Sequence, residues 1–355
     1  MFRAVWFAAS AALAFPVFVH GWISLASACF LVEFLSEARW RPLSAITHAA
    51  QVRPLTPPPD GPLMNADLYV APSLLRPPGL VLVHGIAPNG KDDPRLQRAA
   101  VLFARAGWAV AAPTIDGLTV LRLRPEDSAP VVASIRALAR AGHAPVGVIG
   151  VSLGAGPALL AASAPEAARN VSAVLALGGY ASAVELLRYT LTGAYAFEQT
   201  RGTRGVNEEA IALFARANAE LVGADGRRLV ENRDARSVDA LVAALPEETR
   251  RLLDALSPER QIGGLRGPLF LIHGREDPAV PFTESLRLER VARAAGLPVS
   301  TVIVGAVDHV EPGARPAVAD HGRRLWELAR LWAALYAFRL SAGTSRWSTS
   351  GGPAP

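Results

Sequence analysis

An α/β fold is what this sequence predicts: a mostly parallel sheet with helices on both faces, a helical insertion between two later strands, and an apolar helix ahead of it all. Three observations carry that expectation. From Leu80 onward, short continuous apolar runs alternate with helix-forming segments, and strands apolar along their whole length belong to sheets covered on both faces. The interval Ala181 to Arg260 breaks the alternation with helix formers alone, such as EEAIALFARANAELV and EETRRLLDAL. Between Arg3 and Glu33 there is no Asp, Glu, Lys or Arg.

In chain order, that uncharged run reads AVWFAASAALAFPVFVHGWISLASACFLV and exceeds the roughly 20 apolar residues a membrane-spanning helix needs. Pro16 and His20-Gly21 are places for a kink, and Trp6 and Trp22 are of the type that favours interfaces. A single retained membrane anchor over residues 1–38 is the expectation. The competing readings are a cleaved secretory signal, for which the run is too long, a lipoprotein signal at Cys29, where Ala26 stands in place of a large aliphatic residue, and a buried helix of the globular domain. Arg39, Arg41 and Arg53 on the domain side, against Arg3 on the other, favour a cytoplasmic domain.

Residues 39–62, ending in RPLTPPPDGP, read as a proline-rich linker, so the globular part is expected to start near Leu63. Strands are expected at Leu80–Val83, Trp108–Ala112, Val146–Val151, Val171–Leu177, Leu269–Ile272 and Val299–Val304, with helices at Arg95–Ala106, Ala129–Arg140, Thr283–Ala295 and Asp320–Leu340. The insertion at 181–260 is too long for an ordinary connection and is expected to cap the carboxyl ends of the strands. Leu186, Tyr189, Leu213 and Phe214 should then face the site or the sheet. Residues 341–355, small and polar, are expected to be a disordered tail.

Composition narrows the function. With 355 residues, 51% hydrophobic and 19% charged, the chain can build a sizeable core. One cysteine excludes a disulfide framework and a thiolate-built metal cluster. The net charge of +5 comes from arginines interspersed with Asp and Glu, Lys91 being the only lysine. No basic stripe marks a nucleic-acid partner. The histidines lack metal-ligand spacing, and no phosphate-binding glycine motif follows a strand, so neither metal nor cofactor is expected.

Three pieces carry chemistry. Gly150-Val151-Ser152-Leu153-Gly154 is G-x-S-x-G between a strand, VGVIGV, and a helix-like stretch, AGPALLAASA. Such a sharp turn presents the serine at the top of a sheet, and the N–H of Leu153 faces an oxyanion. Serine needs a base, and His309 follows the last strand. The imidazole needs a carboxylate to fix its tautomer, and Asp277 follows the preceding strand in GREDPAV. His321 is an alternative base, and Glu276, then Glu185, alternative acids. A loop after the first clear strand, His84-Gly85-Ile86, offers the N–H of Ile86 as second oxyanion donor. His84 itself reads as structural, and Asn89 to Asp93 as a turn and helix cap.

The stretch Leu80 to His309 resembles the α/β-hydrolase superfamily, whose oxyanion loop, elbow, acid loop and histidine loop match HGIAPNG, GVSLGAG, HGREDPAVP and VDH. LSPERQIGGLRGPLFLIHGREDPAVP is most similar to the dienelactone-hydrolase, serine-aminopeptidase and prolyl-oligopeptidase branches. The resemblance implies an eight-stranded, mostly parallel sheet over 63–180 and 261–340, and hydrolysis through an acyl-enzyme. Pro157 departs from the pattern, because it removes an N–H early in the helix after the elbow and predicts a kink. The expected function is that of a membrane-anchored serine hydrolase acting on the carboxylic ester of a small-molecule or lipid-like acyl substrate. Ser152, His309 and Asp277 form its triad, and Leu153 and Ile86 its oxyanion hole. A peptidase or acyltransferase would use the same triad. A non-enzymatic binding scaffold is the alternative of another class, against which the complete triad argues.

Overall fold

The computed structural model describes residues 2–59, 61, 64–73, 76–218, 226–305 and 321–343, with backbone alone for 2–16 and 321. Its strands are β1 (Gln51–Pro54), β2 (Ala66–Val70), β3 (Gly79–Val83), β4 (Ala109–Pro113), β5 (Val146–Val151), β6 (Val171–Leu177), β7 (Ala194–Phe197), β8 (Thr200–Thr203), β9 (Leu269–Gly274) and β10 (Val299–Val304). Eight of them form one sheet in the order β1-β2-β4-β3-β5-β6-β9-β10. From β4 to β10 neighbours pair in parallel, while β1 with β2 and β2 with β4 pair antiparallel. The six apolar runs expected as strands are the parallel ones.

Because side chains alternate along a strand, each run feeds two cores. Val81, Val83, Val148 and Leu271 point to one face and pack with Ile135 and Leu159 of the helices Ala129–Leu138 and Ala155–Ser163. Leu80, Leu82, Ile149 and Ile272 point to the other, where they meet Phe103 of the helix Pro94–Arg105 and Phe338 of the helix His321–Gly343. Trp108 and Phe338 sit with ring centroids 5.5 Å apart in this second core.

The linker expectation for 39–62 needs correction. Residues Pro42–Ile46 are helical with Leu43 fully buried, and β1 is an edge strand of the main sheet. All four β1 side chains are exposed, so the strand carries no apolar signature, and proline is tolerated on an edge. The globular fold therefore begins well before Leu63, which itself lies outside the described residues.

The apolar N-terminal run is one helix, Phe2–Leu35. Its segment Val17–Leu35 is long and apolar enough to cross a membrane, yet part of it is docked. Ile23, Ala26, Phe30 and Leu31 are buried, Phe30 packs on Phe103 at 4.3 Å between centroids, and the Trp332 indole N–H donates to the Ser24 carbonyl at 3.0 Å. Glu33 is buried as an acceptor for the backbone N–H and hydroxyl of Ser44, at 2.9 and 2.5 Å. The last turns of the helix thus belong to the second core. At the other end, the C-terminal helix runs to Gly343, three residues into the expected tail, and 344–355 lie outside the described residues.

The described residues of 181–260 are mainly helical, with helices at Ala183–Thr192, Glu208–Ala217, Val238–Ala243 and Glu247–Ala255, and they hold a small core of Leu191, Ile211, Leu229, Val238 and Leu245. They also contain the hairpin β7–β8, which the sequence reading did not anticipate.

Candidate active site

The parallel strands all end at the same edge of the sheet, and the predicted site residues follow those ends. β5 runs into Ser152, which sits at φ +53°, a left-handed conformation costly for any residue with a Cβ. The turn is tight. A Cβ on Gly150 would come 2.5 Å from the Cα of Ala155, and one on Gly154 would overlap the His84 carbonyl oxygen. Only glycine fits at those two positions. Ser152–Gly154 form a single 3₁₀ turn and the helix proper starts at Ala155. Pro157 is therefore in the first helical turn, where a missing N–H costs little.

β9 runs into Asp277, which is 1% exposed. Its Oδ1 accepts from the backbone N–H of Ala279 at 2.8 Å and of Val280 at 2.9 Å. The other oxygen, Oδ2, lies 3.5 Å from His273 Nε2. His273 is fully buried. Its Nε2 also lies 2.9 Å from the Val280 carbonyl, and its Nδ1 2.7 Å from the Ser285 hydroxyl. A carbonyl can only accept, so Nε2 carries the proton and His273 stitches the acid loop to the end of β9 and the helix Thr283–Ala294. Glu276, the alternative acid, points outward and pairs with Arg204 at 2.6 Å with its side chain 63% exposed. Glu185 is engaged by Arg188 and Arg287. His309 follows β10 in sequence but lies outside the described residues, as does the side chain of His321.

β3 runs into His84, Gly85 and Ile86. His84 is buried, its Nε2 accepts from the Ile115 N–H at 2.9 Å, and its Nδ1 donates to the Gly85 carbonyl at 2.6 Å. Burial pushes its pKa below the ordinary histidine value. The ring is a neutral brace that ties this loop to the one after β4. The Asp93 carboxylate caps the next helix, accepting from the N–H of Arg95 and Leu96.

Ser152, Leu153 and Ile86 line one cavity of about 550 Å³, together with Ala279 and Val280 beside Asp277. Residues of the insertion complete it, among them Leu186, Tyr189 and Phe214, whereas Leu213 is 45% exposed. The insertion is tied down at its stems. Buried Glu284 accepts from the N–H groups of Ala181 and Ser182, both at 2.9 Å, and Ser257 accepts from the N–H of Ala183 at 2.9 Å. It is also tied to the acid loop, since the Tyr189 hydroxyl donates to the Asp277 carbonyl at 3.2 Å and Arg204 donates to the Arg275 carbonyl at 3.2 Å. His273 and Glu284 gave no signal in the sequence, because both act through contacts with backbone or side chains that no local motif announces. Among the described residues, no three His, Cys, Asp or Glu side chains converge on a point.

A left-handed serine at a strand-to-helix turn, on this strand order and beneath a helical insertion, defines the α/β-hydrolase fold. No family model and no curated protein matches the sequence. Solved structures match the fold. Pyrococcus horikoshii acylaminoacyl peptidase superposes with a TM-score of 0.54 at 17% identity, covering 87% of this chain and 44% of the peptidase. A puromycin-hydrolysing peptidase of Mycobacterium tuberculosis gives 0.52 at 18%, covering 82% and 39%. EstE5 gives 0.51 at 18%, covering 83% of this chain and 86% of its own. The chain thus spans about two fifths of the length of these peptidases.

Proposed function

We propose that this chain is a serine hydrolase that cleaves a carboxylic ester through an acyl-enzyme. The observation that carries the reading is Ser152 itself, held at φ +53° inside an apolar cavity, because such strain persists only where the surroundings impose it. Ser152 Oγ attacks the acyl carbon while its proton passes to His309. The oxyanion accepts from the N–H groups of Leu153 and Ile86. Collapse expels the alcohol, which takes the proton from His309, and water attacks the acyl-enzyme by the same steps in reverse order. Asp277 orients His309 and stabilises its charged form, and two backbone N–H groups hold its carboxylate in place. Two of the solved structures of similar fold are peptidases by name, one of them puromycin-hydrolysing, and EstE5 is similar to this chain in length.

We also propose that the N-terminal half of the first helix inserts in a membrane. The helix of 34 residues is about 51 Å long at 1.5 Å per residue, against a hydrocarbon layer of about 30 Å. Among the described side chains, contact with the domain is made from His20 onward, its Nδ1 lying 2.8 Å from the Tyr336 hydroxyl. Residues 2–19 make about 27 Å of helix, and Val17 and Phe18 near its end are exposed.

Hydrolysis of p-nitrophenyl acetate tests the chemistry. Ser152→Ala should abolish it. Asp277→Asn should lower kcat by on the order of a thousandfold or more, through the wrong histidine tautomer, and Glu276→Gln should change it by less than about threefold, as befits an exposed ion pair. Retained turnover in Ser152→Ala, or a larger loss in Glu276→Gln than in Asp277→Asn, would refute the assignment.

A further inference from the structure

The cavity extends beyond what the chemistry above requires. Its lining includes Phe214 and Leu229 of the insertion, and also Phe34, Leu96 and Ala99, which belong to the packed second core. Phe34 belongs to the last turn of the N-terminal helix. Its ring stacks on Phe30 at 5.6 Å and 7°, and Phe30 is itself clamped on Phe103. Leu96 and Ala99 are three residues apart on the helix Pro94–Arg105, so they share a face. The wall is thus made of packed helices.

We propose that the region walled by Phe34, Leu96 and Ala99 holds a long apolar chain of the substrate, so that the substrate is a lipid ester and the N-terminal helix is part of the substrate site as well as an anchor. This rests on the serine-hydrolase reading above. The polar lining residues that adjoin Leu96 in the chain, Asp93 and Arg95, are engaged with each other at 3.2 Å, and Asp93 also caps its helix. The site is therefore built for hydrocarbon. An acetyl group would leave most of some 550 Å³ unfilled, in a size range typical of sites for larger ligands. Each methylene moved from water into such a wall contributes a factor of about four in kcat/KM.

Two ester series test this on the full-length protein in a fixed detergent: p-nitrophenyl esters from acetate to dodecanoate, and acetates of alcohols from ethyl to dodecyl. The expected result is that kcat/KM rises at least about tenfold with chain length in one of the series. In Ala99→Trp, which fills the region, the ratio of long-chain to short-chain kcat/KM in that series falls at least about tenfold. In Phe34→Ala, which removes the wall, the ratio falls by a smaller factor of about three to five. Labelling by a small fluorophosphonate reports, for each variant, that the serine site is still formed. Flat profiles in both series, or a profile that neither labelled variant moves, would overturn the proposal while leaving the serine-hydrolase reading intact. Absence of both labelling and acetate hydrolysis in the wild type would overturn both.

Discussion

Ser152 and Asp277 differ in how they are held. Ser152 is placed by backbone geometry, with glycines on both sides because neighbouring backbone leaves no room for a Cβ. That arrangement is local, and G-x-S-x-G between a strand and a helix made it legible in the sequence. Asp277 is placed by its own loop and by His273, a buried imidazole four residues earlier. The aspartate was legible from its position after a strand, but its brace was not, since His273 reads only as the end of an apolar run. His84 is a third kind of residue, a buried base kept neutral. Its pKa in the fold lies below the unfolded value, so on acidification the unfolded chain binds the proton first. The stability His84 contributes is present above about pH 6.5 and is lost as the pH falls towards its folded pKa. Burial raises the pKa of Asp127 and Glu284, which gives dependence of the opposite sign, so the comparison must be with a variant. Wild type should lose thermal stability relative to His84→Gln between pH 7 and 5. A difference independent of pH would contradict the neutral-brace role.

At the scale of elements, the six parallel strands were legible because burial on both faces leaves continuous apolar runs. β1 was not, because an exposed edge strand reading Gln-Val-Arg-Pro has the composition of coil. The hairpin β7–β8 was hidden for a different reason. Its two-residue turn places Glu198 at φ +51°, where glycine or asparagine would have announced it. The N-terminal helix is the element whose sequence meaning changes most. Its apolar run reads as a membrane segment, yet Phe30 and Leu31 are as much core residues as Phe103 and Phe338. Two truncations separate the halves. Removing residues 1–19 should release the protein from carbonate-washed membranes with its thermal midpoint nearly unchanged. Removing residues 1–62 deletes Leu43, β1 and the docked turns, exposes the second core, and should give an aggregating protein. A stable, soluble, active chain starting at residue 63 would contradict the docking.

Across the whole molecule, one edge of the sheet gathers Ser152, Leu153 and Ile86, the insertion tied to the Asp277 loop roofs them, and the N-terminal helix closes one wall of the same cavity. The proposed chemistry and the proposed chain site meet at Ile86, Leu153 and Ser152, which line the shared space. The covalent adduct of the full-length protein with a fluorophosphonate tests the central claim most directly, read by mass spectrometry of the intact chain and of its peptides. The expected result is one phosphonyl group per chain, on Ser152 within Gly150–Gly154, absent from Ser152→Ala and formed far more slowly in His309→Ala and Asp277→Asn. An unmodified wild-type chain, or an adduct that persists in Ser152→Ala, would contradict the assignment of this site as a serine hydrolase.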